Sequence, residues 1–161
     1  MKRLAIAVGV TVAAVMAAAA AAHPLQTTIV TKIENLEFGA TIPGCFPGAG
    51  ITFDLASPSG ANIGEGTGCI TGSSSDCPDG PVPGCHETTY STLTFAFEGR
   101  GTVVAPSTFR QTDLPNGLAF RSTGDITSGT GEFAAATGTL NGQGVIFFDL
   151  ETNATYVVKV Q

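Results

Sequence analysis

Tryptophan is absent from these 161 residues, only two are histidine, and 12% carry charge. Two histidines, His23 and His86, leave a Ser-His-Asp arrangement little to build on. No G-x-S-x-G elbow, H-E-x-x-H pair, P-loop or dinucleotide fingerprint is present, so the motif-bearing hydrolases, zinc peptidases and nucleotide-dependent enzymes have no foothold in the chain. No stretch repeats apolar residues at i, i+3, i+4 and i+7 over a helix length, which argues against a helical fold. No self-similar period of roughly 20–50 residues is visible, which argues against propellers and solenoids.

What is present begins with Lys2 and Arg3, followed by an alanine-rich apolar run that ends in small residues at Ala22. This is the build of a cleaved secretory signal peptide, residues 1–22. The run approaches the length of a membrane span, but alanine makes it weakly hydrophobic. Cleavage after Ala22 leaves one domain, residues 23–161, outside the cell or in the periplasm and without membrane attachment. His23 would then be amino-terminal, where an amine and an imidazole together can chelate copper, but no motif places a second histidine beside it. His86 reads as a solvated loop residue. Losing Lys2 and Arg3 takes the formal charge from −6 to −8. Nucleic acid is thereby disfavoured as a partner, and the singly scattered acids read as solubility.

Composition and alternation point to an all-β domain. Leu25, Thr27, Ile29, Thr31 and Ile33 share one side of a first strand, and Ile51, Phe53 and Leu55 one side of another. The clearest case sets Leu93, Phe95 and Phe97 against Thr92, Thr94, Ala96 and Glu98, a half-buried antiparallel strand. Further strands are expected at Ile63–Ile70, Gly101–Arg110, Gly117–Ile126, Thr137–Asn141, Val145–Leu150 and Thr155–Val160. Turns are expected at Pro115-Asn116-Gly117 and at Asn141-Gly142. The run Val145–Phe148 is apolar on both faces, which suits a core strand or the interface of a homo-oligomer.

The densest run of glycines is Gly124–Gly144, GDITSGTGEFAAATGTLNGQG. Gly129 and Gly131 flank Thr130 where the backbone calls for positive φ or a close approach, and Phe133 is the one large apolar residue to bury before Gly138 restarts a strand. This string resembles the signature of the allene oxide cyclase and dirigent-like barrels, G-x-I-x-G-G-T-G-x-F-x-x-A-x-G, with Ser128 in place of one glycine. LTFAFEGRGTV upstream is similar to the strand that precedes it, so the likeness spans about Leu93–Leu150. It implies an antiparallel eight-stranded β-barrel with an apolar interior. It carries over no catalytic set and no cofactor.

Cys45, Cys69, Cys77 and Cys85 imply two disulfides in a secreted chain. Of three connectivities, Cys45–Cys69 with Cys77–Cys85 closes the proline-rich stretch locally and ties the PGCFPGAG turn to a strand. A stapled loop insertion around residues 69–85 follows. Zinc lacks a C-x-x-C knuckle here, and Asp76 with Asp79 falls short of a calcium loop. The charges available for catalysis are Glu98, Arg100, Arg121 and Asp125; they polarise a substrate if their faces point inward and meet water if Leu93, Phe95, Phe97, Leu118 and Phe120 do. Three functions fit: an apolar-ligand-binding barrel, a surface or structural module, or a cyclase-like or isomerase-like enzyme that steers a reactive substrate in an apolar cavity. A hollow interior without charge marks the first, a packed interior the second, and a closed cavity with one or two buried charges the third.

Overall fold

The computed structural model describes residues 26–76, 86–149 and 151–161. The strands are β1 Thr27–Ala40, β2 Gly50–Ala56, β3 Asn62–Ser75, β4 His86–Phe97, β5 Gly101–Leu114, β6 Gly117–Ile126, β7 Ser128–Gly129, β8 Gly138–Phe147 and β9 Thr152–Val160. Apart from the two-residue β7, each strand pairs antiparallel with its neighbours in sequence, and β9 returns to β1. The result is a closed eight-stranded antiparallel meander barrel, with β7 added beside β5 at Val103 and Val104. Closure leaves these strands no free edge.

Alternation sets the inward face as expected: Leu93, Phe95 and Phe97 are buried, as are Phe53 and Leu55. In β1 the phase changes once. Ile29, Thr31 and Ile33 point in, Asn35 takes a positive φ of 49°, and the register with β2 slips between Glu34 and Glu37, so Leu36 becomes the next buried residue. This is a β-bulge. Asn35, a residue type that tolerates the left-handed region, donates from Nδ2 to Asp54 Oδ2 at 2.6 Å and holds the bulge to β2.

Several boundaries move relative to the sequence reading. Asn141-Gly142 is no turn but lies in the middle of β8, because Gly142 sits under the ring of Tyr156 and leaves the space that ring fills. Pro115-Asn116 does form the two-residue hairpin between β5 and β6. The loop expected from residue 69 starts later, since β3 carries the chain through Cys69 to Ser75. His86 opens β4 rather than a loop, with Nδ1 3.0 Å from Thr112 Oγ1. Glu98 and Arg100 lie in the β4–β5 turn and not in a strand.

Cys45 and Cys69 are joined by a disulfide, with Cα atoms 5.6 Å apart, tying the turn before β2 to β3. Cys77, Cys85, Asp79, Leu150, His23, Leu25 and the leader 1–22 lie outside the described residues. No helix among the described residues is long and apolar enough to cross a membrane.

Gly142→Ala is expected to lower stability by roughly 1–3 kcal/mol, because its methyl group must displace the Tyr156 ring from a filled interior. Gly72→Ala, where a Cβ meets only ordinary contact, is the control and should change stability by no more than about 0.5 kcal/mol in the same urea titration. Replacing Cys45 and Cys69 together by Ala should lower the unfolding free energy by about 2–4 kcal/mol, since the bridge closes a 24-residue separation.

Candidate functional site

Aromatic rings fill the barrel from one end toward the other. Phe133, fully buried in the 3-10 turn Gly131–Phe133, plugs the end where β4 turns into β5. Its ring lies 5.7 Å from Phe97, Phe97 lies 6.3 Å from Phe95, and Phe95 lies 5.3 Å from Tyr156. The corner needs its glycines: Gly131 takes a φ of +60°, and a side chain at Gly129 would overlap the carbonyls of Phe133 and Thr102. Thr130 accepts from the Thr102 amide at 3.1 Å and pairs with its hydroxyl at 2.9 Å, while Gly138 restarts β8 with a φ of +140°.

Toward the other end the filling stops. The interior opens into a cavity of about 200 Å³ between the bulged end of β1, the start of β2, the start of β4 and the β5–β6 hairpin. Its walls are apolar, with Phe53, Phe109, Phe120, Leu93, Leu118 and Ile146 prominent. Phe38 stands in the wall and remains part-exposed. Phe46, beside the disulfide, and Phe148, after β8, are 79% and 72% exposed.

The cavity is not wholly apolar. Thr89, Ser91, Gln111, Thr152 and Tyr156 also line it. Gln111 Nε2 donates to Glu87 Oε2 at 3.1 Å, and Thr152 donates to the Ile33 carbonyl at 2.8 Å. Ser91 Oγ has no partner, and neither has Ser122 Oγ, which is buried on β6 outside the cavity lining. Burial pushes the Tyr156 phenol well above its ordinary range; Ser122 lies close enough to oppose that rise without reaching hydrogen-bond geometry. Tyr156 is therefore a neutral hydroxyl at any ordinary pH.

None of Glu98, Arg100, Arg121 and Asp125 lines this cavity. Glu98, Arg121 and Asp125 are exposed. Asp125 borders an open polar groove on the outer face with Thr123, Thr139 and Asn141, and Arg121 borders a second, mainly apolar one with His86, Arg110 and Phe120. Arg100 works at the plugged end: its guanidinium lies 5.2 Å over the Phe133 ring and its Nε donates to Glu132 Oε2 at 2.9 Å. No group of three or more His, Cys, Asp or Glu able to hold a metal occurs among the described residues.

Sequence reasoning missed Ser91, Ser122 and Tyr156. Their signal was present as polar side chains on the inward face of a strand, Ser91 in phase with Leu93 and Ser122 in phase with Phe120. Neither protein-family models nor curated proteins give a match to this chain. What the fold and site define is a class: an all-β antiparallel barrel, plugged at one end, with an apolar chamber at the other.

The Tyr156 shift has a definite sign. The folded chain keeps the phenol proton where the unfolded chain releases it, so stability is unaffected below about pH 10 and falls as pH rises further, by about 1.4 kcal/mol per pH unit. Tyr156→Phe should remove that component, seen as a shallower alkaline decline in midpoint urea concentration than in the parent protein.

Proposed function

We propose that the mature protein is a secreted barrel that binds an apolar small molecule in the chamber beside Tyr156. The carrying observation is the chamber itself: about 200 Å³, walled by Phe, Leu and Ile, with no charged side chain among the described residues that line it. Eight-stranded barrels have interiors just wide enough to be filled by side chains or to hold one small ligand, and here the rings fill only part of the length. The likeness of Gly124–Gly144 to the allene oxide cyclase and dirigent barrels supports the same use of the interior. The alanine-rich leader and the Cys45–Cys69 bridge support secretion.

A cyclase or isomerase of that family type is the second reading, favoured by one observation: Tyr156 places a neutral, protonated phenol in an apolar wall. Such a group can donate a hydrogen bond to a polarising oxygen. The four charged residues that would have supplied acid or base lie outside the chamber, so binding is the better-supported reading.

N-phenyl-1-naphthylamine, a neutral fluorescent probe, should bind the mature, oxidised protein saturably at one site. Leu118→Trp, which fills the chamber from β6, should weaken that binding by at least about tenfold with the β-sheet spectrum unchanged. Absence of saturable binding, or binding indifferent to Leu118→Trp, points instead to a structural role.

A further inference from the structure

Among the described residues, the polar side chains of Thr31, Ser91, Ser107 and Ser122 are buried. Two are satisfied locally, Thr31 by the Ala56 carbonyl at 3.0 Å and Ser107 by that of Ala105 at 3.1 Å. Ser91 and Ser122 are only 3% and 1% exposed and meet no partner. A buried hydroxyl left unpaired opposes folding, so native chains rarely keep one without a use.

Their placement is not scattered. Ser91 lines the chamber directly, inward on β4 between Thr89 and Leu93. Ser122 is in register with Gly142, and Gly142 with Tyr156, across β6, β8 and β9. Because Gly142 has no side chain, the Tyr156 ring lies over it and its hydroxyl comes up beside Ser122. The chamber wall thus carries, besides Thr89, Gln111 and Thr152, the hydroxyls of Ser91 and Tyr156, each able to give or accept a hydrogen bond.

We infer that the chamber is built for a neutral molecule with an apolar body and a carbonyl or hydroxyl oxygen, held by Ser91 and Tyr156, with Ser122 behind the phenol. This rests on the chamber being a ligand site. Charge is excluded on both sides: no Lys, Arg or His among the described lining residues would pair a buried carboxylate, and no Asp or Glu would pair a cation. A plain hydrocarbon fits the walls but leaves the hydroxyls unpaired, so the oxygen is the selective element.

The test uses four probes of similar size on the mature, oxidised protein, each competed against N-phenyl-1-naphthylamine: acetophenone, isopropylbenzene, benzoate and phenyltrimethylammonium. Acetophenone should bind at least about tenfold tighter than isopropylbenzene, with both ions weaker than the ketone. The Ser91→Ala variant should cut the preference for acetophenone over isopropylbenzene by at least about threefold while changing the hydrocarbon by less than about twofold. Its melting temperature without ligand should be equal to or above the parent's, since it deletes an unpaired hydroxyl; a clear drop would show that the hydroxyl serves the fold and overturns the inference. Tightest binding by benzoate or the ammonium ion overturns it too. A chamber that takes the naphthylamine but treats ketone and hydrocarbon alike, or takes neither, overturns this inference and leaves the ligand site standing. Failure of the naphthylamine itself removes the site and the inference together.

Discussion

The contact between Phe95 and its neighbours is the one on which the rest of the barrel depends. Phe95 is fully buried and lies in ring contact with Phe53, Phe97 and Tyr156, which come from β2, β4 and β9. Each fully buried ring contributes about 1.5–3 kcal/mol by leaving water, and each ring pair about 0.5–1.5 kcal/mol more. By comparison the part-exposed Arg100–Glu132 pair is worth about 0–1 kcal/mol, so it trims the plugged end and does not hold it. The interior glycines belong to the same arrangement: Gly66 lies against the Phe53 ring and Gly142 against that of Tyr156. Each of these two rings takes the space that a side chain at its glycine would fill.

That pairing of rings with glycines also explains why the two ends differ. Around Phe133 the corner Gly129–Gly131 folds inward and delivers a ring to the axis, so packing is complete. At the opposite end the hairpin Pro115-Asn116 and the bulge at Asn35 delimit strands without sending a ring across the axis. Phe109 and Phe120 pair with each other at 5.8 Å and stay on the wall, leaving the centre unfilled. The chamber is thus a consequence of where inward rings run out, and Tyr156, whose ring touches both Phe95 and Phe120, joins the column to the chamber wall.

Much of the fold could be read from local pattern. Alternation in LTFAF identifies the inward face of β4, since one buried face requires period two. Phe133 could be placed in the core because it is the lone large apolar residue among glycines and alanines, and Cys45–Cys69 is the favoured one of the pairings that four cysteines leave open, because it ties a turn to a strand. What escaped local reading depends on partners distant in sequence. Asn141-Gly142 has the chemistry of a hairpin turn, and only Tyr156, from the next strand, gives Gly142 a different purpose. Glu98 and Arg100 have strand-like spacing, yet the β4–β5 hairpin reverses there. Serine at an inward position looks like ordinary strand filler, so Ser91 and Ser122 become visible only once every buried donor and acceptor is traced to its partner.

Phe133 makes the barrel a cul-de-sac. Anything that entered the chamber would have to leave by the end at which it came in, where Phe38 stands in the wall. Exchange at a dead-end chamber of this shape would be sequential, one occupant leaving before another could enter.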